Sequence, residues 1–137
     1  MAKKLMLEWK WEVDFKLAGI SSALKEYQLA WQINNLFNWE LMKGDDLTGL
    51  KKSDKFAVYF YDDEMDKRKI HLISNLNKGK YFLTDLKQAD FLLRIEGSPS
   101  KKEWNDWLKE LKKIDGVQTV FSIDVNKIKN ADMLILE

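Results

Sequence analysis

The sequence contains no cysteine, which excludes disulfides, thiol nucleophiles, iron–sulfur clusters and cysteine zinc sites together. It has one histidine, His71, so a metal site built on two histidines of the same chain is excluded too. No nucleophile motif accompanies that histidine, and a Ser-His-Asp triad has no support. The six glycines are scattered, and none belongs to a phosphate-binding loop. Charge of one sign is not in excess: 23 basic and 22 acidic residues leave a net +1. That balance argues against a dedicated nucleic-acid or membrane-surface binder. No apolar run approaches the roughly 20 residues needed to span a bilayer. Met1-Ala2-Lys3-Lys4 starts basic, but Leu5-Met6-Leu7 is cut by Glu8, so no signal-peptide core is expected. These absences predict no cofactor, no metal, no nucleic-acid or membrane partner, and a cytoplasmic setting.

What is present suits a folded domain. Of 137 residues, 45% are apolar and 33% are charged, with the signs interspersed. That is enough for a core and too mixed for a disordered chain, and one domain spanning 1–137 is expected. Leu5, Leu7, Trp9, Trp11, Val13 and Phe15 alternate with polar partners, the period of a half-buried strand. Gly19 to Phe37 reads as a helix with two apolar stripes. Ile20, Leu24, Tyr27 and Trp31 form the expected core stripe, and Leu29, Ile33, Leu36 and Phe37 a second. The second stripe is either covered by a later part of the chain or forms a contact with a second copy or another protein. Phe56 to Tyr61 and Lys69 to Ser74 predict a hairpin closed by the acidic turn Asp62 to Asp66. His71 falls on the polar face of the returning strand. Met133 to Leu136 reads as a last edge strand.

The best punctuated region runs from Phe91 to Ile123. Phe91, Leu92, Leu93 and Ile95 form a buried strand broken only by Arg94, and Gly97-Ser98-Pro99 stop it. Ser100 and Glu103 have capping-box spacing. Trp104, Trp107, Leu108 and Leu111 form the stripe of an amphipathic helix, and Val117 to Ile123 is a second strand. Strand, helix, strand in this order fits a split βαβ unit with another strand lying between the two. The expected architecture is an α+β two-layer sandwich: a largely antiparallel sheet, both helices on one face, and a ferredoxin-like second half.

Leu83-Thr84-Asp85-Leu86-Lys87-Gln88-Ala89-Asp90-Phe91 resembles the motif of the IPExxxVDY family, small bacterial proteins found mainly in Bacteroidetes. Asp90 is identical at the named positions, Leu83, Asp85, Ala89 and Phe91 are conservative replacements, and Thr84 stands where the family has proline. Asp14 to Ser21, Tyr27 to Asn34 and Leu72 to Asn75 are similar to other parts of the family pattern. The resemblance implies a bacterial cytoplasmic protein and no assigned activity.

Three functional readings follow. The first is a non-enzymatic interaction domain, homodimeric through Leu29, Ile33, Leu36 and Phe37. The second is a small-ligand sensor, with an anion or amino acid held at Gly97, Ser98 and Ser100 on free N–H groups at a helix start. The third is an enzyme that uses Asp85 and Asp90 as paired carboxylates; Asp85, Asp90 and Phe91 are the candidate residues of the motif. Ordinary capping by Ser100, and backbone acceptance by Asp90, are the structural alternatives.

Overall fold

The structure, a computed structural model, describes residues 15–136. Most of the strand predicted over residues 5–15 therefore lies outside the described residues.

Leu17, Ala18, Gly19 and Ile20 are all buried, as a strand covered on both faces requires. They sit in β1 (Phe15–Ser22), which pairs antiparallel with β9 (Phe91–Glu96) on one side and with β10 (Val117–Ile123) on the other. Gly19 to Ser22 thus extend a strand rather than begin the helix. Gly19 is opposite Phe121, and a Cβ there would lie 2.5 Å from the ring's Cζ. The glycine leaves the space in which the aromatic lies across the strand.

β9 and β10 are both antiparallel to β1, hence parallel to each other with β1 between them. α2 (Lys101–Lys112) joins them, which is the split βαβ unit expected from the sequence. The first half repeats the plan. α1 (Glu26–Phe37) follows β1, and β6 (Arg68–Ser74) pairs antiparallel with the far side of β9. The order β10-β1-β9-β6 is a ferredoxin-like βαββαβ connectivity, so that pattern covers both halves of the core. β5 (Val58–Asp63) and the two-residue β2 (Met42–Lys43) extend the sheet beyond β6. Two small hairpins stand apart: β3 (Leu47–Thr48) with β4 (Lys55–Phe56), and β7 (Leu76–Asn77) with β8 (Lys80–Tyr81).

The molecule is an α+β sandwich with both helices on one face of the sheet. Between helices and sheet, Leu29 and Ile33 of α1 and Trp104 and Leu111 of α2 meet Ala18, Ile20, Leu72, Leu93 and Ile95. The opposite face is covered by irregular chain. Phe56, Phe82, Leu83, Leu86 and Leu134 cover Leu17, Ile73 and Leu92 there. The expected edge strand at Met133 to Leu136 is instead a 3₁₀ turn, Ala131–Leu134, entered through Asn130 at φ 58°. This turn delivers Leu134 into the second core, where it is fully buried.

Candidate functional site

The end of β1, the end of β6 and the segment 82–91 meet at one end of the sheet. β6 ends at Ser74, and Asn75 follows with its side chain fully buried. Its Nδ2 donates to the carbonyls of Leu86 and Ala89, both at 2.9 Å, and its Oδ1 accepts from the N–H of Leu83 at 2.8 Å. Its own carbonyl accepts from Phe82 N. Residues 82–89 have no regular ladder, so this amide supplements the turn bonds Leu86 N to Leu83 O and Ala89 N to Leu86 O in satisfying their backbone. Asp90 comes next. Its Oδ2 accepts from Ser22 N at 2.8 Å, and its N–H donates to the Ile20 carbonyl. Ser22 Oγ donates to the Gly116 carbonyl at 2.6 Å and accepts from Leu24 N at 3.1 Å. Asp90 therefore fixes the turn between β1 and α1. Phe91 is buried at the start of β9, between Ile20 and Ser74. A cleft of about 410 Å³ opens here, lined by Ser22, Glu26, Ser74, Asp90 and Gln118 among others.

Asp85 lies in the same stretch but is engaged elsewhere. Its Oδ2 accepts from Lys129 N at 2.8 Å and ties down the C-terminal segment. The two carboxylates thus hold two different pieces of backbone. That is latch work, and it gives acid–base chemistry no common target.

The proposed ligand loop is occupied from within. Gly97 and Ser98 both have positive φ, 106° and 50°, and turn the chain from β9 toward α2. Ser100 Oγ accepts from Glu103 N, and Glu103 Oε1 accepts from Ser100 N, both at 3.1 Å. Both Glu103 oxygens also accept from Arg68 Nη2, at 2.9 and 3.0 Å. The hydrogen bond to the Ser100 backbone, then Arg68, holds the Glu103 carboxyl below the usual range. An anion arriving at this helix start would meet a carboxylate already seated there.

His71 is not on a wet face: it is 6% exposed. Arg94, 2% exposed, donates from Nη1 to His71 Nδ1 at 3.3 Å and to Glu96 Oε2 at 2.7 Å. Because arginine only donates, Nδ1 must accept and the imidazole is neutral. Burial first, then the Arg94 charge, lowers its pKa to about 4. The His71 ring lies 4.7 Å from that of Phe60, and Arg94 lies 4.4 Å from the Phe15 ring centroid. A histidine whose lone pair is held by a buried guanidinium is poorly placed to act as a base.

α1 reverses the expected assignment of its two stripes. Leu29 and Ile33 are fully buried against the sheet, and Phe37 packs on Trp39 at 4.6 Å and on Trp107 at 6.2 Å. Of the four expected contact residues only Leu36 is substantially exposed, at 36%. Of the stripe assigned to the core, Ile20 is fully buried in β1 and Leu24 packs on the core, but on the helix itself Tyr27 is 56% and Trp31 63% exposed. Both stripes have helical period and comparable hydrophobicity, so periodicity alone could not say which one meets the sheet. The aliphatic side packs into the sheet and the two-ended aromatics stay outside. Leu24, Tyr27, Gln28, Trp31 and Gln32 line a groove of about 450 Å³. From Tyr27 to Trp39 the chain has no charged residue at all, although a third of the whole chain is charged.

Set against known proteins, the chain matches no family model and no curated protein. Among the described residues no helix is long and apolar enough to cross a membrane, and no cluster of His, Asp and Glu could hold a metal ion.

Proposed function

We propose that the protein is a non-enzymatic interaction domain that pairs with a second copy of itself through the outer face of α1. The observation that carries this reading is the exposure of Tyr27 and Trp31 on a helix that carries no charge after its first residue, Glu26. Aromatic enrichment and depletion of charge mark the centre of an interface. A monomer seldom leaves such a patch in water. A two-fold contact sets a surface against itself, and a charge-free surface opposes no like charges when it does so. The non-enzymatic part is supported by the engaged state of Asp85, Asp90 and His71. A bacterial cytoplasmic setting rests on the family resemblance, itself a proposal.

Native mass spectrometry tests the pairing. The unmodified protein is expected as a dimer and Trp31→Glu as a folded monomer with the same circular dichroism. A monomeric unmodified protein would remove the reading. The second reading, a small-ligand sensor, draws support from the cleft beside Asp90 and Glu26. Its carboxylates favour the ammonium group of an amino acid over an anion. An added mass retained in the native spectrum would favour it.

A further inference from the structure

The two edges of the sheet are built differently. One is β2, two residues long and carrying Lys43, the short and charged kind of edge that discourages strand pairing. The other is β10, Val-Gln-Thr-Val-Phe-Ser-Ile, seven residues long with no charge and no proline. Its residue types are those that favour strands. No described residue pairs with its outer side. The Ile20 carbonyl accepts from Asp90 N on the β9 side, so Ile20 turns its main-chain groups away from β10. Its partner Val120 must then present its N–H and C=O to the open side, as must Ser122 two residues on. A bulge between Ser21 and Ser22 disturbs the ladder only at the β10 entry, leaving Thr119 to Ile123 in regular register with β1.

We infer that the outer edge of β10 docks an extended segment of another protein, which adds to the sheet as a further strand. The occupant is defined by what the edge offers. The row of main-chain donors and acceptors takes an extended chain. On the face of the sheet away from the helices, Thr119, Phe121 and Ile123 would flank apolar or β-branched residues of the incoming strand. On the helix face its neighbours would be Gln118 and Ser122, suited to small polar residues. Charge selects the ends. Asp115 precedes the strand and Asp124 follows it, and both are exposed. Lys113 is paired with Glu110 at 3.0 Å. A segment with lysine or arginine at both ends complements these carboxylates. A second copy does not: antiparallel pairing of β10 with itself about Val120 would bring Asp124 of each copy beside Asp115 of the other.

The test uses a peptide of alternating threonine and valine with two lysines at each end, and a control peptide with glutamates in their place. Amide exchange of Val120 and Ser122 is followed by NMR in the full chain. Saturation with the lysine-flanked peptide should slow both amides at least tenfold, and the glutamate-flanked peptide should bind roughly tenfold more weakly. The Asp115→Lys/Asp124→Lys variant, checked for folding by circular dichroism, should reverse that preference. Unchanged exchange, equal binding of the two peptides, or an unreversed preference would overturn the inference. So would slow exchange of both amides before any peptide is added, because the chain itself would then already cover the edge. None of these readouts involves α1, so the inference stands or falls separately from the pairing proposed above.

Discussion

Asn75 uses its one side chain on three backbone groups of residues 83–89, in a segment with no ladder of its own. Asn75→Ala would strand the Leu83 N–H and the Ala89 carbonyl in the second core, while the Leu86 carbonyl keeps its bond from Ala89 N. At about 1 kcal/mol or more for each buried group left unpaired, the loss should be about 2 kcal/mol or more. Urea denaturation measures it. Asn75→Asp should not rescue, because a carboxylate turns lone pairs toward the Leu86 and Ala89 carbonyls. A loss under about 1 kcal/mol in either variant would mean that water replaces the amide. His71 makes the stability depend on pH. Its folded pKa of about 4 lies below the unfolded value, so between roughly pH 6.5 and 4 the unfolded chain binds the extra proton. The stabilisation is complete above that window and is lost as pH falls through it, to a total on the order of 3 kcal/mol. Carboxylates titrate nearby, so the informative quantity is the difference between the unmodified protein and His71→Gln. The variant should have a flatter stability profile in that window. Parallel profiles would show that Arg94 and His71 move apart when the ring is protonated.

At the scale of elements, the two helices differ in how far they could be read. α2 was legible throughout: Ser100 and Glu103 form the expected capping box, and Trp104 and Leu111 are core. Local chemistry and long-range packing agree there. α1 was legible as a helix, but its start and its orientation were not. The start was missed because Gly19 and Ile20 continue a central strand whose side chains are buried on both faces, which hides its period of two. The orientation depends on the sheet, which a local pattern does not contain. The second core was the least legible part. Phe82, Leu83, Leu86, Ala89 and Leu134 come from turns, so they have no period to detect. Orientation can be checked by a paired substitution. Ile33→Glu puts an unpaired carboxylate into the core and should unfold the domain or cost more than about 4 kcal/mol, read by thermal or urea denaturation. Trp31→Glu, in the lining of the groove, should stay within about 1 kcal/mol for the monomer. If Ile33→Glu folded normally and Trp31→Glu did not, α1 would be turned the other way.

The whole molecule has two unlike surfaces, and their difference shapes what it can assemble into. Pairing through α1 sets the same face of both subunits together and closes on itself, so growth stops at two subunits. The acid-flanked edge of β10 discourages its own copy and so should not extend the pair into an open series. Closed pairing links folding to concentration. If association stabilises the folded state, the melting temperature rises with protein concentration, each tenfold increase adding about 1.4 kcal/mol per dimer. Calorimetry over a hundredfold concentration range should therefore show a steady rise for the unmodified protein and a flat line for Trp31→Glu. Light scattering over the same range should reach a plateau at two subunits. A melting temperature independent of concentration would show a monomer with an unused aromatic face. Mass that kept growing past two would mean that the Asp115 and Asp124 carboxylates do not guard the edge, and that β10 joins copies of the chain to one another.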